Sequence, residues 1–198
     1  MSALPDLVAD FLALERLVEA EPEGTRAEIV RGVYLFSQRP RFRHVRSVGE
    51  LHALLRGVVG AAGAGVSGLP EEEWVFAIEP ELRSEVAFSR LIPDLAGWRR
   101  STGGWPGPDE SLIALVPDWV AEVLSPATAG LDRGRKREAY GQMGIPSYWI
   151  VDSGQRTVET FTNVRGTLVL EVSLGADAPL AAPPFGDLGV LVSALFPD

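Results

Sequence analysis

Apolar residues recur at helical spacing in three stretches of this chain and at strand spacing in several others. Over residues 6–19, acidic positions alternate with Leu7, Phe11, Leu14, Leu17 and Val18, which predicts an amphipathic helix. Glu28 to Phe36 is rich in β-formers on both sides of Arg31-Gly32, so a hairpin or bent strand pair is expected there. Residues 44–59 place Val48, Leu51, Leu54 and Leu55 on one face and predict a second helix. The glycine- and alanine-rich residues 57–68 read as a loop. Strands are predicted over 74–78, 91–98 and 119–124, with a Gly/Pro-rich surface loop at 101–110.

After Ser125-Pro126 the pattern returns to a helical period over 128–143. Thr128 can cap that helix, Gly144 can end it and Pro146 blocks its continuation. Residues 148–152, 157–162 and 167–172 then predict three strands joined by short turns. The Ala/Pro-rich tail from 176 to 198 offers one further short element, at 188–195. Helices interleaved with strands give an α/β or α+β class, a central mixed sheet flanked by helices. The length of 198 residues fits a single domain, 1–198.

Composition narrows the chemistry. There is no cysteine, so disulfides and thiolate metal sites are excluded. The two histidines, His44 and His52, cannot alone build a His-rich metal site, which leaves oxygen donors and hence Mg²⁺ or Mn²⁺ for any metal. No apolar run approaches the roughly 20 residues of a membrane span, and the first residues lack a signal-peptide pattern. The expectation is a cytoplasmic protein with no membrane partner.

The net charge of −9 opposes indiscriminate nucleic-acid binding by the whole surface. The charge is uneven, however. Residues 31–56 carry six arginines against Glu50 alone, and Arg133, Arg135, Lys136 and Arg137 form a second basic group. Seventeen cations are arginine and one, Lys136, is lysine. Lysine is a compact ammonium whose protonation can be tuned, a role arginine cannot fill.

Three residues converge on a site. Asp94 lies in the apolar run 91–96 and Glu122 in the apolar run 120–124, where an unpartnered carboxylate is costly. Lys136 lies on the helix that follows, with Asp132 and Tyr140 at i−4 and i+4 on the same face. Two strand carboxylates can bridge Mg²⁺ while a nearby ammonium positions a nucleophile or stabilises charge. The plain alternatives are an edge-of-sheet Asp94, a structural ion pair at Glu122 and a solvated helix face at Lys136.

Asp94, Glu122 and Lys136 resemble the PD-(D/E)XK nuclease signature with its lysine migrated. The usual lysine position, two after the glutamate, is Leu124. The pattern is most similar to the Uma-type restriction endonuclease family of bacteria. It is carried by residues 28–32, by 120–126 with Thr128, by Asp132, Lys136 and Tyr140, and by 144–152. The resemblance spans about residues 24–175 and is densest over 118–152.

What the resemblance implies is a restriction-endonuclease-like fold with an Mg²⁺ or Mn²⁺ site on adjacent strands. Asp94 and Glu122 would be metal ligands, Lys136 and Glu28 catalytic, and Asp132, Tyr140 and His44 supporting. Arg133 and Arg137 would contact nucleic acid, expected to be DNA, and homodimerisation would suit cleavage of two strands. The implied activity is a metal-dependent endodeoxyribonuclease. The alternatives are an inactive nuclease-fold binding or assembly module, and an RNA or nucleotide phosphodiesterase.

Overall fold

A computed structural model describes residues 4–22, 24–36, 40–60 and 74–196. Helix α1 (Leu4–Glu19) precedes the hairpin β1 (Ala27–Val30) and β2 (Val33–Phe36), and α2 (Phe42–Gly60) follows. Next come β3 (Trp74–Ile78), β4 (Leu82–Ser84), β5 (Ser89–Leu91), β6 (Leu95–Arg99) and β7 (Trp119–Val123). A helical segment is then built from α3 (Ala129–Leu131), a π turn (Asp132–Lys136) and α4 (Arg137–Met143). The chain continues through β8 (Ser147–Asp152), β9 (Thr157–Val164), β10 (Thr167–Gly175), β11 (Pro179–Ala182) and β12 (Gly186–Leu191) to a short 3₁₀ turn, Val192–Leu195.

The strands form a six-stranded sheet in the order β10-β9-β8-β7-β6-β3, a four-stranded sheet in the order β2-β1-β5-β4, and the hairpin β11-β12. Only the β7–β8 pair is parallel among those described. Parallel neighbours need a long crossover, and α3, the π turn and α4 supply it. The result is the mixed sheet flanked by helices that the patterning predicts.

Alternation along β7 and β8 sorts side chains onto two faces. Trp119, Ala121, Val123, Trp149 and Val151 face one core, packed with Leu51 and Leu55 of α2 and with Leu180, Phe185 and Leu188 of the last hairpin. Val120, Leu124, Tyr148 and Ile150 face the other, with Ala139 and Tyr140 of α4 and Val30 and Leu91 of the small sheet. Glu122 shares the parity of Val120 and Leu124, so it is carried into the second core beneath α4.

Several expectations need correction. The strand expected over 91–98 is two strands, because Pro93 has no N–H to give a ladder and the chain passes there from the small sheet to the large one. Asp94 therefore sits at the seam just before β6, not inside a strand. The helix expected over 128–143 is interrupted by the π turn, and Thr128 makes no side-chain cap bond. The tail is no appendage: β11, β12 and the 3₁₀ turn bury Leu180, Phe185, Leu188, Val192 and Leu195 in the first core. Of the loop read over 57–68, residues 57–60 belong to α2 instead, and residues 61–68 lie outside the described residues.

Other local readings hold. Arg31 (φ 51°) and Gly32 (φ 71°) close the β1–β2 hairpin with positive φ at both central positions, the geometry that matches strand twist. The turn is held by hydrogen bonds from Arg31 N to Ser89 Oγ (2.9 Å) and from Gly32 N to Phe88 O (2.8 Å). Gly144 (φ 86°) terminates α4 in the left-handed conformation that favours glycine.

Candidate active site

Four elements meet at the seam between the two sheets. β1 brings Glu28, the β5–β6 junction brings Asp94, β7 brings Glu122, and the π turn brings Asp132 and Lys136. All five side chains are buried, each residue 3% exposed or less. A cleft of about 80 Å³ opens onto this group and is lined by Asp94, Glu122, Asp132 and Lys136, with Arg26 and His44 on its rim.

The Lys136 ammonium lies between two carboxylates, 2.8 Å from Glu28 Oε1 and 2.9 Å from Glu122 Oε1. Tyr140, one turn further along, donates its hydroxyl to the same Glu122 oxygen at 2.6 Å. Among the described residues no hydrogen bond engages Glu122 Oε2. Glu28 Oε1 also accepts the Ile92 N–H at 2.8 Å, which ties β1 to the strand junction that carries Asp94. The π turn is secured from below, where Tyr148 donates its hydroxyl to the Asp132 carbonyl at 3.1 Å. Such turns are rare and recur at functional sites.

Asp94 occupies the other end of the cleft. Its Oδ2 accepts the Val123 N–H at 2.7 Å, a bond that links β6 to β7 beyond their regular ladder. Its Oδ1 lies 3.0 Å from His44 Nε2 and 3.5 Å from an Arg26 guanidinium nitrogen. Arg26 is the residue the patterning did not single out. It stands one residue before β1 and two before Glu28.

Electrostatics follow from one ammonium among several buried carboxylates. Burial by itself lowers the Lys136 ammonium, but Glu122, Glu28 and Asp132 outweigh it and raise its pKa above the ordinary lysine value. Lys136 stays charged. Burial raises Glu122 well above the usual carboxylate range; Lys136 opposes this, while Asp132, Asp94 and Glu28 add to it. Asp132 is pushed up to about 6, chiefly by burial. Burial also raises Asp94, yet its hydrogen bond and charge interaction with His44 win, and the carboxyl ends below its usual value. His44 responds in kind, raised by Asp94 against the lowering effect of burial.

The family model named Uma2, described as "Putative restriction endonuclease", matches residues 8–192. The chain belongs to the Uma2 family. It is thereby a member of the PD-(D/E)XK-like nuclease superfamily. A crystal structure of a "putative nuclease" from Anabaena variabilis superposes with a TM-score of 0.72 at 17% identity, covering 92% of this chain and 96% of that one. At that identity the likeness speaks for the fold. No curated protein matches the chain.

Within this Uma2 chain, Asp94, Glu122, Lys136, Asp132 and His44 line one cleft, and Glu28 and Tyr140 touch its lysine and its glutamate. Two other residues lie apart. Arg133 pairs with Glu159 and lies 3.5 Å from Asp152, and Arg137 stacks over Phe161 at 5.2 Å; neither lines the cleft. Leu124 is packed in the second core and does not line the cleft. Trp98, Trp119 and Trp149 are likewise core residues.

The superfamily is typically metal-dependent, so the donor set matters. Among the described residues no group of three or more His, Asp or Glu side chains is arranged to hold a metal ion. Three carboxyl groups line the cleft, Asp94, Glu122 and Asp132, and the two strand-borne ones, Asp94 and Glu122, are the hard donors that the resemblance pairs. That pair fits Mg²⁺, which binds through one or two carboxylates and keeps several waters. The surplus of buried negative charge around Lys136 fits a cation as well.

Proposed function

We propose that this protein is an Mg²⁺-dependent endonuclease that hydrolyses phosphodiester bonds of DNA. The observation that carries the reading is the Lys136 ammonium held 2.9 Å from Glu122 in a cleft shared with Asp94. Asp94 and Glu122 would hold Mg²⁺ or Mn²⁺. When bound, such an ion supplies an activated water and neutralises charge on the phosphate.

The remaining work falls to the chain's own residues. Lys136 stays protonated against Glu122 and Glu28, so it can orient a water and stabilise a phosphate oxygen. Glu28 anchors that ammonium from the far side. Tyr140 fixes the orientation of Glu122 and leaves Oε2 for the cleft. His44 and Arg26 neutralise Asp94 at the rim.

The test is cleavage of plasmid and branched DNA with Mg²⁺ by the wild type, Glu122→Ala and Lys136→Arg. Loss of cleavage in both variants is expected. Equal cleavage by wild type and Glu122→Ala would mean a contaminant and end the reading. A second readout is independent of turnover: Mg²⁺ should raise the melting temperature of the wild type, because a ligand of the folded state stabilises it. That increase should vanish in Asp94→Asn.

A second reading is a nuclease fold kept as a binding or assembly module. It is favoured by how far Asp94 is already satisfied, with Oδ2 on the Val123 N–H and Oδ1 on His44. It predicts no metal-dependent melting shift and no cleavage. Homodimerisation would accompany either reading, and sedimentation of the purified chain measures it.

A further inference from the structure

The cleft does not end at its rim. Arg41, His44 and Ser125 line both the cleft and an adjoining hollow of about 470 Å³. Arg43, Ser153 and Gly154 then connect that hollow to a third of about 450 Å³, which also carries Phe42, Arg46 and Arg156. Four arginines thus follow one path from the candidate active site across the first turns of α2 to the β8–β9 turn. Among the described residues Asp152 is the one carboxylate lining the two outer hollows. Its Oδ1 accepts the Gly154 and Gln155 N–H groups at 2.9 and 3.0 Å, and its Oδ2 lies 3.5 Å from Arg133.

This path is a basic strip on a protein of net charge −9. Arg41 and Arg43 are exposed and make no ion pair among the described residues, while Arg46 lies 4.0 Å from Glu50. Between them stands Phe42, 77% exposed, with the Arg46 guanidinium 6.0 Å from its ring centre. A large aromatic ring left in water has an open face, and its guanidinium neighbour extends the stacking surface. A cationic groove with an aromatic platform is how proteins take a single strand, because phosphates follow the cations and an unpaired base stacks on the ring. A duplex hides its base faces and would leave Phe42 without a partner.

We infer that Arg41, Phe42, Arg43, Arg46 and Arg156 form a docking track for single-stranded DNA that leads one strand into the Asp94–Glu122–Lys136 cleft. The choice of DNA rests on the nuclease reading above; the single-stranded geometry rests on the exposed ring of Phe42. It places the nucleic-acid contacts on Arg41, α2 and the β8–β9 turn rather than on Arg133 and Arg137.

The test is fluorescence anisotropy of the full chain with a labelled short oligothymidylate in EDTA, so that binding is read without cleavage. The single strand should bind at least tenfold tighter than the matching duplex. Four arginine–phosphate contacts predict a log–log salt slope of about −3, falling to about −1.5 in R43A/R46A. Phe42→Ala should weaken single-strand binding about tenfold, the scale of one base–aromatic stack. All three side chains sit at the surface, so melting temperatures matching wild type are expected and check that the variants are folded.

Duplex binding as tight as single-strand binding, an unchanged salt slope in R43A/R46A, or tighter binding of oligouridylate overturns the track. The nuclease reading fails separately. Mg²⁺-dependent cleavage that ignores R43A/R46A removes the track and keeps the enzyme, whereas arginine-dependent binding without cleavage keeps the track and removes the enzyme.

Discussion

Lys136 is held by neighbours that depend on it. Removing its ammonium leaves Glu28 and Glu122 buried side by side, and breaking a buried pair from one side costs about 3–5 kcal/mol. Lys136→Met should lose stability on that scale at neutral pH, measured by urea denaturation. The loss should shrink in acid, where the orphaned carboxyls can protonate. Asp132 gives a second pH signature at the same scale. Its pKa rises from 3.8 to about 6, so the folded chain holds that proton more tightly than the unfolded chain. The sign follows: its contribution to stability is full below about pH 4 and is lost as pH rises through 6. A shift of this size is worth on the order of 3 kcal/mol. Asp132→Asn should flatten the stability profile between pH 4 and 6, read in EDTA by denaturant midpoints.

The helical segment after β7 sets where the lysine points. A π turn carries both Asp132 and Lys136, and α4 then delivers Tyr140 to Glu122. Two glycines in this segment should respond oppositely. At Gly141 an added Cβ would meet the Gly166 carbonyl oxygen at 2.6 Å, so α4 would have to lift from the β9–β10 turn. Gly141→Ala should cost about 1–3 kcal/mol, as overpacking does, and shift the Tyr140 hydroxyl resonance in NMR. Gly134, in the π turn, has open space around its Cβ position. Gly134→Ala should gain up to about 1 kcal/mol from helix propensity, seen as a higher melting temperature.

Across the whole molecule, the last hairpin completes the core behind the site. Phe185 packs against Trp74, Phe76, Trp119 and Trp149, with ring centres 5.0–5.9 Å apart. Trp119 and Trp149 stand on β7 and β8, the two strands that also carry Glu122 and Ile150 on their opposite face. Phe185→Ala should therefore cost about 3–5 kcal/mol in chemical denaturation and lower the proposed DNA cleavage without touching the cleft. The charge distribution operates at the same scale: an acidic body repels polyanions broadly, and the arginines of α2 make an exception on one side.

Most of the long elements, and the buried charged residues that line the cleft, are legible in the chain alone. Periodicity placed both long helices and the three strands β8–β10, since repeated burial on one face leaves a local signature. Carboxylates inside apolar runs marked Asp94 and Glu122, because an isolated buried charge is too costly to persist unpartnered. Assembly was decided only in three dimensions. No local pattern announces that Pro93 passes the chain between two sheets, or that Arg26 reaches back to Asp94. Nor does one announce that an Ala/Pro-rich tail supplies core aromatics. The π turn belongs to the same class, for it is stabilised by what Asp132, Lys136 and Tyr148 touch rather than by propensity. Contacts between residues tens of positions apart leave no period in the chain, and the lysine's bond to Glu28 is a contact of that kind.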